Sequence, residues 1–136
     1  RDYHLTLART GGVGNYSDSI YDLTDYLMEW KGHFPVAMDW GISKSVQYLS
    51  KGTVNPPELF GYTGMTPPPN WQDWLLPYLE EPWTLYVFHD EKFTVFPRWE
   101  HFAALARAYG RKIRPELYIT QRDERIIFVL FTLRPA

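Results

Sequence analysis

The sequence predicts an α/β domain: a three-layer sandwich with a mostly parallel mixed sheet that ends in an antiparallel hairpin. Three observations carry this. Short apolar runs alternate with segments whose apolar residues recur at helical spacing. Gly and Pro punctuate most of the boundaries between them. The last long apolar run, Ile126-Ile127-Phe128-Val129-Leu130-Phe131, follows a polar turn at Arg122-Asp123-Glu124. At 136 residues, 45% hydrophobic and 22% charged, the chain suits a single domain, 1–136, with a core that needs no metal or disulfide staple.

The elements follow in order. Tyr3 to Ala8 reads as the end of a helix, stopped by Thr10-Gly11-Gly12. After a loop at Val13 to Tyr16, Ser17 is the N-cap of the next helix and Asp18 favours its positive end. Ile20, Leu23, Thr24, Leu27 and Met28 form its apolar stripe, Asp22, Asp25 and Glu29 its outer face, and Gly32 closes it. Phe34 to Met38 is a buried strand that delivers Asp39 at its carboxyl edge. Trp40-Gly41 turns the chain into a helix with Ile42, Val46 and Leu49 on its stripe, ending at Gly52. A second short strand falls within 56–62, with its prolines confined to the start.

A loop stiffened by Pro67-Pro68-Pro69 leads to a helix from Trp71 to Leu79 that Pro77 shortens or breaks. Thr84 to Phe88 is a stronger strand, delivered to His89-Asp90, and Phe93 to Phe96 is short and extended. Pro97 opens a helix with Phe102, Leu105, Ala106 and Tyr109 on one face and Gly110 past its end. Glu116 to Thr120 and Arg125 to Leu133 then form the closing hairpin, the second arm apolar enough to be central.

Composition excludes several functions. With no cysteine there is no disulfide scaffold, thiol nucleophile or Cys-ligated metal. His4, His33, His89 and His101 never share metal-ligand spacing, so no metal and no cofactor is expected. Gly11-Gly12-Val13-Gly14 follows a helix rather than a strand and has neither the dinucleotide fingerprint nor a P-loop lysine. Gly41-Ile42-Ser43-Lys44-Ser45 breaks the nucleophile-elbow pattern at its last position. Asn15-Tyr16-Ser17 fits the glycosylation sequon, although Ser17 already has a capping role. The net charge of -2 and the lack of a basic recognition motif argue against nucleic acid. Charge is uneven: residues 1–91 hold 5 basic and 12 acidic side chains, residues 92–136 hold 9 and 4. The basic final third is either a solvated surface or a face toward anionic headgroups or phosphates.

Ligands of open α/β sheets bind outside the carboxyl ends of the strands. Two polar sets are expected there on one rim: Asp39 with Trp40, and His89 with Asp90. Together they would form a ligand-binding rim, and a carboxylate beside an imidazole could do acid–base work. The structural alternative is that Asp39 caps the helix beginning near Ile42 and that His89-Asp90 is a turn. Aromatics make up 18% of the chain, and Trp71, Trp74, Tyr78 and Trp83 cluster beside the triple proline. Trp71 and Trp74 are candidates for stacking on a sugar or sitting at a membrane interface, the alternative being core filling.

The segments Thr10-Gly11-Gly12, Tyr16-Ser17-Asp18-Ser19-Ile20-Tyr21-Asp22-Leu23, Tyr26-Leu27, Met38-Asp39-Trp40-Gly41-Ile42, Leu49 and Gly52 together resemble a known family. So do Tyr86-Val87-Phe88-His89, Thr94-Val95-Phe96-Pro97, Phe102, Ala106-Arg107-Ala108-Tyr109-Gly110 and Gln121-Arg122-Asp123. They are similar to the C-terminal soluble part of bacterial membrane glycosyltransferases, the dolichyl-phosphate-mannose protein mannosyltransferase-like enzymes. The resemblance spans most of the chain in short matches, none of them a catalytic signature. It implies a parent with many transmembrane helices that moves a sugar from a polyprenyl-phosphate carrier to a lipid, glycan or protein acceptor outside the membrane. Such enzymes keep their catalytic carboxylate in a loop near the N-terminal transmembrane helices, and no position here corresponds to it. The implied role is therefore a non-catalytic extracytoplasmic appendage. Its partners would be the transmembrane portion of the same chain and a glycan or lipid-linked sugar. No run in the sequence is long and apolar enough to span a bilayer, and the chain opens on Arg1, so it is expected to be a processed or excised piece. The rival reading is a self-contained small α/β enzyme or nucleotide/sugar-binding module working at the strand rim; a third is a protein-interaction domain.

Overall fold

Two apolar clusters share the strands of one sheet, and the strands hand alternate residues to each. The computed structural model describes residues 16–121 and 123–136. The predicted helix at Tyr3 to Ala8, its glycine stop and the sequon asparagine lie outside them. The described residues form a mixed α/β fold with four α-helices and a four-stranded mixed sheet.

Helix α1 (Tyr16–Glu29) begins one residue before the predicted cap. Its buried face is Ser19, Asp22, Leu23, Thr24, Tyr26 and Leu27. Leu23, Thr24 and Leu27 of the predicted stripe are buried, but Asp22, expected outside, is buried too, and Met28, expected inside, is 39% exposed. Strand β1 (Phe34–Ala37) runs parallel to β2 (Thr84–His89), with Phe34 opposite Thr84 and Ala37 opposite Val87. Helix α2 (Ser43–Leu49) buries Val46, and Ile42 just before it is also buried.

The predicted strand within 56–62 is reduced to a single parallel bridge from Glu58 to Ala37. Pro57 accepts the N–H of Ala37 at 2.8 Å, and Ala37 accepts that of Leu59 at 2.9 Å. Pro56 and Pro57 have no N–H to extend the ladder. Helix α3 (Trp71–Leu75) gives way to a 3-10 turn at Leu76–Tyr78, the break that Pro77 predicted. Helix α4 (Trp99–Ala108) buries Phe102, Leu105 and Ala106, while Tyr109, placed on that face by the sequence, is 50% exposed. Tyr109 falls one residue past the helix, and Gly110 adopts a left-handed φ of 69° beyond it.

Strands β3 (Arg111–Thr120) and β4 (Ile126–Pro135) pair antiparallel from Arg111 opposite Pro135 to Thr120 opposite Ile126. β3 starts five residues before its predicted start at Glu116, because Arg111, Lys112, Arg114 and Pro115 sit on an edge strand that needs few apolar side chains. The sheet order is β1-β2-β4-β3. It holds one parallel and two antiparallel pairs, so the expectation of a mostly parallel sheet is corrected. The segment read as a further strand, 56–62, does not join as a strand, and β4 inserts antiparallel between β2 and β3.

One cluster takes Ala37, Leu85, Val87, Phe128 and Leu130 from the sheet and packs them with Leu23, Tyr26 and Leu27 of α1 and with Ile42 and Val46. The other takes Val36, Met38, Tyr86, Phe88, Val129 and Phe131 and packs them with Trp71, Leu75 and Leu79 and with Phe102, Leu105 and Ala106 of α4. All six residues of β2 are buried. Full burial of a Leu or Phe side chain contributes roughly 1.5–3 kcal/mol relative to exposure, so both clusters depend most on β2 and β4.

Candidate functional site

The carboxyl ends of β1 and β2 bring Asp39 and His89 together. Asp39 is 1% exposed and His89 7%, and Nδ1 of His89 lies 3.3 Å from Oδ2 of Asp39. The two polar sets expected on one rim therefore meet. What surrounds them decides their chemistry. Asp39 Oδ1 accepts the backbone N–H groups of Trp40 at 2.8 Å, Val95 at 3.1 Å and Phe96 at 3.0 Å. Oδ2 accepts the Thr94 hydroxyl and shares the Val95 N–H at 3.2 Å. This carboxylate accepts four hydrogen-bond donors in addition to facing His89. Burial opposes its ionisation, but the bonds from His89, Thr94 and the backbone of Phe96 and Trp40 outweigh burial and hold its carboxyl below the usual range.

Asp39 does not cap α2. That helix has no side-chain cap at Ile42, and Ser43 instead donates to the carbonyl of Pro56. Asp39 fixes the 94–96 segment, whose Thr, Val and Phe read as extended in sequence but are held by a carboxylate rather than by a neighbouring strand. His89 stacks on Phe128, with centroids 5.1 Å apart at 29°. Asp90 is a turn residue: its N–H bonds to the Ile127 carbonyl at 2.8 Å, and its Oδ2 accepts the N–H of Lys92 at 3.2 Å. Trp40 is 52% exposed beside this junction.

A second buried ion has no counterpart in the sequence reading. Arg98, 1% exposed, donates to the carbonyls of Phe60, Gly61 at 3.0 Å, Gly64 at 2.8 Å and Pro97 at 3.0 Å, and to the Thr63 hydroxyl at 3.2 Å. Burial lowers its pKa and the charge of Asp39 partly restores it. Five donors in a fixed fork suit a guanidinium and no other side chain. Gly61 takes a φ of 75° there, and a Cβ on it would lie 2.5 Å from Pro68 Cδ. A lone arginine after a proline gives no sequence signal.

Beside this pair of ions, the end of β2, the start of α4 and the middle of β3 and β4 enclose a cavity of about 430 Å³. Phe88, Trp99, Tyr118 and Phe131 supply its aromatic surface, and His89, Asp90, Glu91 and Glu100 its polar rim. Trp99 packs 4.6 Å from Phe131 and 5.3 Å from Phe88, ring centre to ring centre. His89 and Asp90 thus border this half-open cavity, whereas Trp40 is not among its walls. Trp71 is 4% exposed, its indole N–H bonds to the Leu59 carbonyl at 2.7 Å, and its ring meets His101 edge-on. Trp74 is half-buried against the same cluster. The aromatic surface open to a ligand is that of Trp99 and Tyr118, which sequence spacing could not separate from core filling. Among the described residues no group of three or more His, Asp or Glu side chains is gathered to hold a metal ion, and no helix is long and apolar enough to cross a membrane. Compared with family models, curated proteins and solved structures, the chain matches none of them.

Proposed function

We propose that this chain is a non-catalytic, extracytoplasmic accessory domain of a membrane glycosyltransferase that uses a polyprenyl-phosphate-linked sugar, and that it engages acceptor or glycan in the cavity beside His89. The observation that carries the reading is the saturation of Asp39. A general base must offer a lone pair to a substrate proton, and both oxygens of Asp39 are taken up inside the protein. The remaining chemistry is that of a binding site, an aromatic surface with carboxylates at its edge, which is how proteins hold sugar rings. The rival reading of a self-contained module draws on the same cavity and would have to use His89, which faces Asp39, or the rim carboxylates as its base, since Asp39 itself is taken up.

Attachment to a membrane protein is supported by the other end of the sheet, where β1 and β2 begin. Trp30, Phe34 and Trp83 are 42%, 42% and 50% exposed there, with the Phe34 N–H on the Trp83 carbonyl at 2.9 Å. Arg111, Lys112 and Arg134 lie at the same end through the β3–β4 register, and Arg134 reaches the Pro82 carbonyl at 3.4 Å. Exposed aromatics beside cations match the chemistry of a bilayer interface. We read the fold as a three-layer sandwich closed by an antiparallel hairpin, a reading supported by the two clusters that draw on alternate strand residues. The functional proposal is tested by incubating the isolated chain with polyprenyl-phosphate-linked mannose and following sugar release and transfer. Neither should exceed the protein-free rate.

A further inference from the structure

We infer that the cavity at the end of β2 selects an organic cation, a ligand bearing an ammonium group. The inference deepens the binding role proposed above and rests on it. Trp99 and Tyr118 are 40% and 38% exposed at the cavity, so part of each ring faces the solvent-filled space. Trp99 is held in place by Phe131, Phe88 and Phe102. The face of an aromatic ring carries negative potential and attracts an ammonium group more than a neutral one.

The rim has the matching sign. Asp90, Glu91 and Glu100 border the same space. Among the described residues the one Lys or Arg on the lining is Arg98, and every polar atom of its fork is directed at carbonyls and a hydroxyl of the protein. Its charge is opposed by that of buried Asp39, so the two interior ions leave the three rim carboxylates as the net field at the mouth. Lys92 follows Glu91 in the chain but is not among the walls. A phosphate or carboxylate ligand would meet repulsion here. A neutral ring would stack on Trp99 and gain nothing from the acids. An ammonium group gains from both.

Matched probes test this: glucosamine and glucose share one ring and differ by a charge, and tetramethylammonium carries the charge without the ring. The readout is the indole N–H resonance of Trp99, assigned with Trp99→Phe. Glucosamine and tetramethylammonium should shift that resonance, and glucose should bind about tenfold more weakly. Raising salt from about 20 to about 500 mM should weaken glucosamine and leave glucose unchanged. Glu91→Gln with Glu100→Gln should lower glucosamine affinity about tenfold at an unchanged melting temperature; if that variant melts early, the salt series decides. Equal affinity for glucosamine and glucose would overturn the cation and leave the glycan role standing. Shifts that spare Trp99, or no binding by any probe, would overturn both uses of the cavity.

Discussion

Asp39 illustrates how a residue that looks chemical can be committed to structure. A strand-ending acid next to an imidazole reads as an acid–base pair, and the two side chains do meet. The sequence cannot show that Thr94, Val95 and Phe96, more than fifty residues later, will spend the carboxylate. Replacing it removes a buried, charged acceptor and orphans backbone donors. Asp39→Asn should therefore cost about 2–4 kcal/mol, read as a shift of the urea midpoint. The pH dependence has a defined sign. The folded carboxyl has a lowered pKa, so the unfolded chain binds more protons in acid. Stability is present above the ordinary carboxyl pKa, near 4, and is lost as pH falls through the folded value. The acid-side loss attributable to this residue should vanish in Asp39→Asn, as measured by urea unfolding between about pH 5 and pH 2.

At the scale of elements, what was legible had a period or a breaker. Leu23 and Leu27 marked α1, Pro77 marked the break after α3, and the apolar run at 126–131 marked a strand paired on both sides. What was not legible depended on partners distant in sequence. Ser19 and Asp22 are polar yet lie on the buried face of α1, which makes that face wider than the predicted stripe. Thr94 to Phe96 has strand-like composition but is pinned by Asp39. The 60–64 loop has no regular structure and is ordered by Arg98 alone among the described side chains that donate to the carbonyls of Phe60, Gly61 and Gly64. Arg98→Ala should cost about 3–5 kcal/mol, since several buried carbonyls lose their donors together. Arg98→Lys should recover little, because one ammonium cannot reach carbonyls spread around a planar fork. Chemical denaturation of the two variants side by side checks both statements.

For the whole molecule, the basic final third gains a location. Arg111, Lys112 and Arg134 gather at the end of the sheet where Trp30, Phe34 and Trp83 are exposed, while Asp90, Glu91 and Glu100 border the cavity at the other. The imbalance is visible in composition without a direction, because only the strand register brings the start of β3 and the end of β4 together. If the aromatic end meets a bilayer, the isolated chain should co-sediment with phosphatidylglycerol vesicles. Added salt should weaken that binding, and Lys112→Glu with Trp83→Ala should reduce it several-fold. Uncharged phosphatidylcholine vesicles should retain little protein. The most direct test of the proposed non-catalytic role compares wild type, Asp39→Asn and His89→Ala for sugar release and transfer from polyprenyl-phosphate-linked mannose. No protein should exceed the protein-free rate; a turnover present in wild type and lost in His89→Ala at an unchanged melting temperature would contradict it.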